Sequence, residues 1–137
     1  METLLRLFPS TLSPDVHVRR ASEQELHQLE SQPGMLAASF QLVASPEVDT
    51  SIRQAAAIYV KNRISRTWDA SLARGFSDAP SAVSDQDKEV VRSGLLPTIA
   101  SLPPTLRVHI ASAMYSIVRC DFPQAWPTLT EEIVKVL

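Results

Sequence analysis

The sequence predicts an all-α protein made of stacked helical hairpins, an α-solenoid, and three observations support this fold class. The 137 residues include 3 glycines and 10 prolines, a composition typical of helices punctuated by prolines rather than of β-sheet. Apolar residues recur with helical spacing, most clearly in Ser51–Trp68. An aliphatic residue followed by arginine recurs at Val18-Arg19, Ile52-Arg53 and Leu106-Arg107, at offsets of 34 and 54 residues. Single hairpins of this kind cannot bury their apolar faces alone, so they must stack.

Prolines, glycines and N-cap residues divide the chain into seven predicted helices. Ser13-Pro14-Asp15 combines a cap, a proline for the first helical position and an acid for the first turn. Ser84, followed three residues later by Asp87, is a second helix start. The last apolar pattern is still running where the chain ends, which predicts a fragment of a longer protein. The predicted helices are Thr3–Thr11, Ser13 to about Glu30, Met35–Ala44, Ser51–Trp68, a helix from Ser84 to the Leu102-Pro103-Pro104 break, Thr105–Arg119 and Gln124–Leu137.

Paired in order, these helices give three repeats and the first helix of a fourth. Repeat one covers about residues 1–31, repeat two 33–68 and repeat three 84–120, and the fourth starts at 124–137. Residues 69–83 lack periodicity and are predicted to be a loop. In repeat one we expect Val18, Ala21, Leu26 and Leu29 to point inward.

The helix over Ser51–Trp68 has one wide apolar stripe and one polar side. At 100° per residue, its apolar arc contains Ile52, Ala55, Ala56, Tyr59, Val60 and Ile64. Gln54, Ile58, Lys61, Asn62 and Ser65 fall on the opposite side. The alanines should let a neighbouring helix approach closely. Lys61, Arg63 and Arg66 lie in the last turns, where the helix dipole favours cations.

Composition argues against several classes of function. The net charge of −2 disfavours a general nucleic-acid binder, although five basic residues cluster between Arg53 and Arg74 around a single acid. Because Cys120 is the single cysteine, an internal disulfide is excluded. We predict that Cys120 is a buried or half-buried thiol at a helix end rather than a nucleophile. No apolar run is long enough to span a membrane.

No constellation of residues points to an enzyme, a metal site or a cofactor. His17, His27 and His109 are scattered along the chain, and no glycine-rich phosphate loop is present. Glu23, Glu25 and Glu30 could suggest paired carboxylates, but their spacing predicts the solvated face of a helix. We therefore predict a binding protein that is not an enzyme and needs no cofactor.

The repeated arginines have a structural and a functional interpretation. Arg19, Arg53 and Arg107 could contact a partner, but the wheel places Arg53 inside the apolar arc. This position favours a structural ladder, in which each arginine bridges to an acid or a carbonyl of the neighbouring repeat.

The outward row of the second helices is the candidate binding surface. In repeat two it consists of Gln54, Lys61, Asn62 and Ser65. A solvated face and the binding lining of a solenoid are equally good interpretations of this row. The equivalent positions are Arg20, His27, Gln28 and Ser31 in repeat one, and Val108, Tyr115, Ser116 and Arg119 in repeat three.

Several separated motifs resemble the N-terminal domain of the importin-β family of nuclear transport receptors. They are A-S-E-Q-E-L, Q-P-G-M, I-R-Q-A-A-A-I-Y-V-K-N and R-T-W within Ala21–Trp68. The block from Ser101 to Leu129 resembles the family's third and fourth HEAT repeats. Its D-F-P-x-x-W run is similar to the importin seven and eight branch, and the exportin that recycles importin-α has a similar D-F-P-x-x-W-P-x-L. The resemblance implies a right-handed α-solenoid of HEAT repeats.

The resemblance also implies a function. Second helices of the repeats would bind the GTPase Ran in its GTP form, for release of protein cargo in the nucleus. Lys61 and Asn62 match the family's V-K-N motif, whereas Gln54, Ser65, Arg20, His27 and Gln28 join them by the helical wheel and repeat register. Cargo and nucleoporins would bind mostly elsewhere on a receptor that shuttles between cytoplasm and nucleus through the nuclear pore. The alternatives are the exportin that recycles importin-α and a generic HEAT-repeat scaffold.

Overall fold

The computed structural model describes residues 2–69 and 83–137. Seven α-helices and no β-strands are found within these ranges. The predicted loop at 69–83 lies outside the described residues except for its two ends, Asp69 and Val83, and Arg74 lies outside them as well. The helices are α1 (Glu2–Ser10), α2 (Val16–Leu29), α3 (Met35–Ala44), α4 (Thr50–Thr67), α5 (Asp85–Ser101), α6 (Pro104–Asp121) and α7 (Leu129–Val136).

The helices form three successive pairs, α1–α2, α3–α4 and α5–α6, followed by α7. In each pair the two helices pack against each other, and the short connections make them antiparallel neighbours. The first helices α3, α5 and α7 pack side by side, and the second helices α4 and α6 do the same. Helix α1 packs against both α2 and α4. Buried apolar side chains from all of the helices form one continuous core.

Most helix ends follow the chemistry of their capping residues. Ser84 accepts a hydrogen bond from the Asp87 amide at 3.2 Å, as predicted. The expected Ser13 cap is wrong: the Asp15 carboxylate accepts from the His17 amide at 2.8 Å, while the Ser13 hydroxyl accepts from the Asp15 amide. The predicted start of the last helix at Gln124 is also wrong, since α7 begins at Leu129.

Helix α4 is the centre of the fold, and its predicted apolar face is confirmed. Ala55, Ala56, Val60 and Ile64 are buried, Ile52 and Tyr59 are half-buried against the core, and Ala57 joins the buried face. Small side chains here let α4 contact α3, α6 and α1 at once.

The predicted inward face of α2 is partly wrong. Leu26 is buried, but Ala21 is exposed and Val18 is 43% exposed, while Ser22 is buried instead. Helix α2 packs chiefly on α1 and is separated from α4 by a cleft, so it buries a narrower stripe than α4 does.

Buried polar contacts join one repeat to the next. The Gly34 amide donates to the Asp87 carboxylate at 3.1 Å, and Gly34 has a φ of 92°, which side chains other than glycine rarely adopt. At the same end of the hairpins, Asp121 accepts from the indole of Trp68 at 3.1 Å and from Arg92 at 2.7 Å. Repeats two and three are therefore joined by hydrogen bonds as well as by apolar packing.

Candidate protein-interaction surface

Helix α4 presents its polar side to solvent because its other sides are occupied by α1, α3 and α6. Gln54, Asn62 and Ser65 are exposed, whereas Lys61 is half-buried. Asp49 caps the helix by accepting from the Ser51 amide at 2.9 Å, and this local hydrogen bonding lowers the pKa of the Asp49 carboxyl. The outward row predicted on α4 is therefore accessible to a partner.

These α4 side chains face two different neighbours. Asn62 borders the cleft toward α2, and Ser65 borders a cavity of about 490 Å³ between α4 and α6. Lys61 lies near His109 of α6: partial burial first, and the Lys61 ammonium second, lower the pKa of His109. Gln54, two turns before Lys61, lines neither cavity.

Removing the Lys61 charge should raise the pKa of His109. A histidine with a lowered pKa in the folded state binds fewer protons than in the unfolded chain, so its contribution to stability is lost as pH falls below about 6.5. We expect Lys61→Gln to reduce this loss and to shift the His109 titration, followed by NMR, to higher pH. Lys135→Gln on α7 is the control and should leave the titration of His109 unchanged. An unmoved titration in Lys61→Gln would contradict the proximity of the two side chains.

The three candidate residues of α2 lie together on its outer side. Arg20, His27 and Gln28 are exposed, and with Glu23 and Gln24 they border a shallow groove of about 590 Å³. His27 also borders the cleft toward α4, so it shares that cleft with Asn62. The seven predicted residues thus form neighbouring groups rather than one compact cluster.

The equivalent row on α6 is more apolar. Val108 and Tyr115 are 61% and 66% exposed, and the Arg119 guanidinium lies 5.7 Å from the Tyr115 ring centroid. Ser116 is half-buried and borders the cavity next to Ser65. Exposed aromatic and arginine side chains of this kind are enriched at protein interfaces.

A cleft of about 400 Å³ separates α2 from α4, although stacked second helices were expected to form a continuous surface. Phe8, near the end of α1, contacts Tyr59 with ring centroids 5.5 Å apart and occupies the space between the two helices. Leu12 and Leu26 line the α2 side of the cleft, and Ile58 lines the α4 side. We call this opening the α2–α4 cleft.

Glu30 lies at the base of the α2–α4 cleft and is buried, so its assignment to a solvated helix face is wrong. Its Oε1 accepts from the Tyr59 hydroxyl at 2.9 Å and lies 3.6 Å from Arg66. Burial, followed by the nearby Glu30 charge, raises the pKa of the Tyr59 hydroxyl. Oε2 accepts no hydrogen bond from the described residues, and the nearest basic group is His27 Nδ1 at 3.4 Å. Leaving such a buried group unsatisfied costs about 1–3 kcal/mol.

Arg63 is also buried, so it does not belong to an exposed basic patch. Its guanidinium donates to the Glu30 backbone carbonyl at 3.0 Å, while Nε and Nη1 have no hydrogen-bond partner among the described residues. The helical wheel is sufficient to predict the burial of Arg63, because this residue falls about 20° from Ile52, near the middle of the apolar arc.

The repeated arginines make hydrogen bonds within their own repeats, so the expected bridges to a neighbouring repeat are wrong. Each guanidinium reaches a backbone carbonyl where the first helix of its own pair ends, because that carbonyl is the nearest one without a helical donor. Arg19 donates to Ser13 at 3.2 Å, Arg53 to Val43 at 3.0 Å and Arg107 to Leu102 at 2.7 Å.

Catalytic and metal chemistry has little support in the described part of the chain. No group of three histidine, cysteine, aspartate or glutamate side chains there could hold a metal ion. Cys120 is exposed, so its predicted burial is wrong. Partial desolvation, followed by the charge of Asp69, raises the pKa of its thiol and disfavours the thiolate. Among the described helices, none is long and apolar enough to cross a bilayer.

Comparison with known proteins identifies the family. Residues 22–101, more than half of the chain, match the family model of the importin-beta N-terminal domain. The chain belongs to the importin-β family. This importin-β family member is 34% identical over 122 residues to an importin beta-like SAD2 homolog of Arabidopsis thaliana, covering 89% of this chain and 11% of that protein. It is 33% identical to exportin-2 of Oreochromis niloticus, covering 98% of this chain and 13% of that protein. Human importin-8 is 26% identical, over 97% of this chain and 13% of its own length.

Solved structures confirm the HEAT-repeat solenoid predicted for this importin-β family member. The exportin Cse1 in its cargo-free, cytoplasmic state matches with a TM-score of 0.84 and 29% identity, over 99% of this chain and 14% of Cse1. Kap95p, solved with RanGDP, matches with a TM-score of 0.74 and 24% identity, over 98% of this chain and 17% of that chain. The chain therefore spans about a ninth to a sixth of these relatives, which include both importins and exportins.

Proposed function

We propose that this chain is the Ran-binding N-terminal region of a nuclear import receptor. It binds Ran in the GTP form through the outward side chains of its second helices. The observation that carries the proposal is the exposure of Gln54, Asn62 and Ser65 beside Lys61 on the central helix α4. Arg20, His27 and Gln28 extend this surface on α2, and Tyr115 extends it on α6.

Ran binding fits the charge and chemistry of this surface. A lysine at the rim of an interface steers an acidic partner and weakens binding as salt rises, whereas amide and aromatic side chains give contact area. The solved Kap95p structure describes how its binding induces the switch loops of RanGDP to adopt the GTP-bound conformation. A receptor with this preference binds Ran better in the GTP form, and the same differential affinity couples Ran binding to release of cargo.

The rest of the mechanism follows from the family. Protein cargo and nucleoporins bind mostly through later parts of the receptor, which shuttles between cytoplasm and nucleus through the nuclear pore. This region neither catalyses a reaction nor binds a cofactor, nucleic acid or membrane. Binding of Ran in the GTP form to this region is coupled to release of cargo from another part of the receptor.

An exportin that recycles importin-α is the second candidate. The exportin Cse1 has the TM-score of 0.84 given above, and the yeast importin alpha re-exporter is 33% identical over 118 residues. In an exportin, binding of Ran in the GTP form strengthens the binding of cargo instead of weakening it, because the two bind together. Both candidates use the same α4 surface, so the first experiment tests that surface.

We expect the chain to bind Ran loaded with a non-hydrolysable GTP analogue at least tenfold more tightly than Ran loaded with GDP. Lys61→Glu combined with Asn62→Ala should weaken the first interaction about tenfold or more, which corresponds to about 1.4 kcal/mol. Biolayer interferometry at several salt concentrations measures both effects, and the affinity of the unmodified chain should fall as salt rises.

The matched control combines Lys135→Glu with Thr130→Ala, which reverses the same charge and truncates a polar side chain on the exposed side of α7. It should leave the affinity unchanged. Equal affinity for the two nucleotide states, or indifference to the α4 substitutions, would favour a generic HEAT-repeat scaffold.

A further inference from the structure

The α2–α4 cleft has the shape of a site for part of a peptide. Three aliphatic side chains line it among polar ones: Leu12 of the turn after α1, Leu26 of α2 and Ile58 of α4. Leu12 is 51% exposed and Ile58 is half-buried, so apolar surface faces solvent in a concave opening. A volume of about 400 Å³ is within the range of pockets that hold small ligands or peptide side chains.

Its base has an acceptor without a donor. Glu30 is 4% exposed, yet its Oε2 accepts no hydrogen bond from the described residues, while Oε1 is already occupied by the Tyr59 hydroxyl. The imidazole of His27 stands 3.4 Å from Oε2, and its side chain is 58% exposed, so a rotation toward solvent opens this oxygen to the cleft. Glu23 and Arg66 also line the opening, and Arg66 lies 3.6 Å from Glu30 Oε1, so Oε2 is the carboxylate oxygen that remains for a ligand.

We propose that the α2–α4 cleft binds a lysine side chain from an apolar peptide segment of a protein partner. The lysine methylenes lie against Leu12 and Ile58, and the ammonium donates a hydrogen bond to Glu30 Oε2. The remaining volume holds a neighbouring apolar side chain of the same segment. This site goes beyond Ran binding, because its ligand is defined by an apolar wall and a buried carboxylate rather than by the outward row of α4.

Lysine fits this site better than arginine does. The guanidinium is a planar fork that is satisfied best by two free carboxylate oxygens, and here Oε1 is already bound to Tyr59. A lysine ammonium is compact, so it needs only the one free oxygen and can direct its other donors toward solvent. Burial of the aliphatic stem between Leu12 and Ile58 supplies the apolar part of the affinity.

The site also borders the proposed Ran surface. His27 and Asn62 line the α2–α4 cleft, and both belong to the outward rows of α2 and α4. A segment seated in the cleft displaces His27 and covers Asn62. Occupancy of the cleft and binding of Ran to these two side chains are therefore mutually exclusive.

The test is an NMR titration of the isotopically labelled chain with the peptide acetyl-Leu-Lys-Leu-amide, in the absence of Ran. We expect saturable shifts centred on Leu12, Ile58 and Tyr59. Replacing the lysine of the peptide by uncharged norleucine should weaken binding at least tenfold. Replacing it by arginine should weaken binding about threefold or more. Equal affinity for the lysine and norleucine peptides, or shifts that do not saturate, would overturn the proposal.

Two variants locate the site on the protein. Glu30→Gln should remove the preference for lysine over norleucine, whereas Glu47→Gln, an exposed control, should retain it.

Ile58→Arg places a cation at the mouth of the cleft and should abolish peptide binding, while the circular dichroism spectrum remains that of a helical protein. Val108→Arg, on the exposed side of α6, should bind the peptide like the unmodified chain. Undiminished binding by Ile58→Arg would show that the peptide sits elsewhere and would also overturn the proposal. Because Ran is absent, failure here leaves the proposed Ran binding untouched.

Discussion

Replacing Arg63 by alanine is expected to lower the free energy of unfolding by about 3–5 kcal/mol. Arg63 is 1% exposed, and its guanidinium donates to the Glu30 backbone carbonyl at 3.0 Å. Its removal leaves that carbonyl without this donor and opens a cavity at the point where repeats one and two meet. Urea unfolding followed by circular dichroism at pH 7 measures the change.

Arg66→Ala is the matched control for this substitution. Arg66 lies one turn further along α4, is about half exposed and reaches Glu30 only at 3.6 Å. Exposed ion pairs contribute about 0.2–1 kcal/mol, so the two arginines should differ by at least 2 kcal/mol. Equal losses of unfolding free energy in the two variants would show that burial does not increase the contribution of Arg63 to stability. Arg63→Met, which retains much of the volume, should lose less than the alanine variant does.

Replacing Trp68 by alanine is expected to destabilise the chain by about 3–5 kcal/mol. Trp68 is the largest of the fully buried side chains among the described residues, and its indole donates to Asp121 at 3.1 Å. The substitution opens a cavity between repeats two and three and removes one donor from Asp121, whose other partner is Arg92.

Trp68→Phe separates these two effects. It retains most of the apolar packing but removes the indole donor, so the expected loss is about 1–3 kcal/mol. Thermal and urea unfolding of the two variants should rank them in this order. A phenylalanine variant as unstable as the alanine variant would attribute the effect to the Asp121 network rather than to the cavity.

The sequence was sufficient for the arrangement of helices and for the buried face of α4. Three alanines in succession and a wide apolar arc predicted a helix with close neighbours, and Ala55, Ala56 and Ala57 are buried. The same wheel places Arg53 inside the arc and Arg63 nearer its centre, and both arginines are buried. Charge alone groups Arg63 with Lys61 and Arg66 at the end of the helix, so the apolar pattern is the better guide to burial.

Two features depended on tertiary packing that periodicity does not encode. Helix α1 reaches α4, and Phe8 lies against Tyr59, so α2 stands apart and leaves Val18 exposed. Glu30 is buried because Tyr59 and Arg63, which are distant in sequence, surround it. No local pattern on α2 reports the position of α4, so neither the α2–α4 cleft nor the burial of Glu30 could be predicted from the sequence.

The arginine hydrogen bonds have a consequence for how the solenoid bends. Arg53 and Arg107 each tie a second helix to the end of its own first helix, and Arg19 ties α2 to the turn that precedes it, so each hairpin has an internal polar contact. We therefore expect changes in superhelical pitch to be taken up at the seams between hairpins. The seam between α2 and α4 holds a cleft, while that between α4 and α6 is packed. We therefore expect the curvature of this region to change by rotation of the first hairpin, α1–α2, relative to the second, α3–α4.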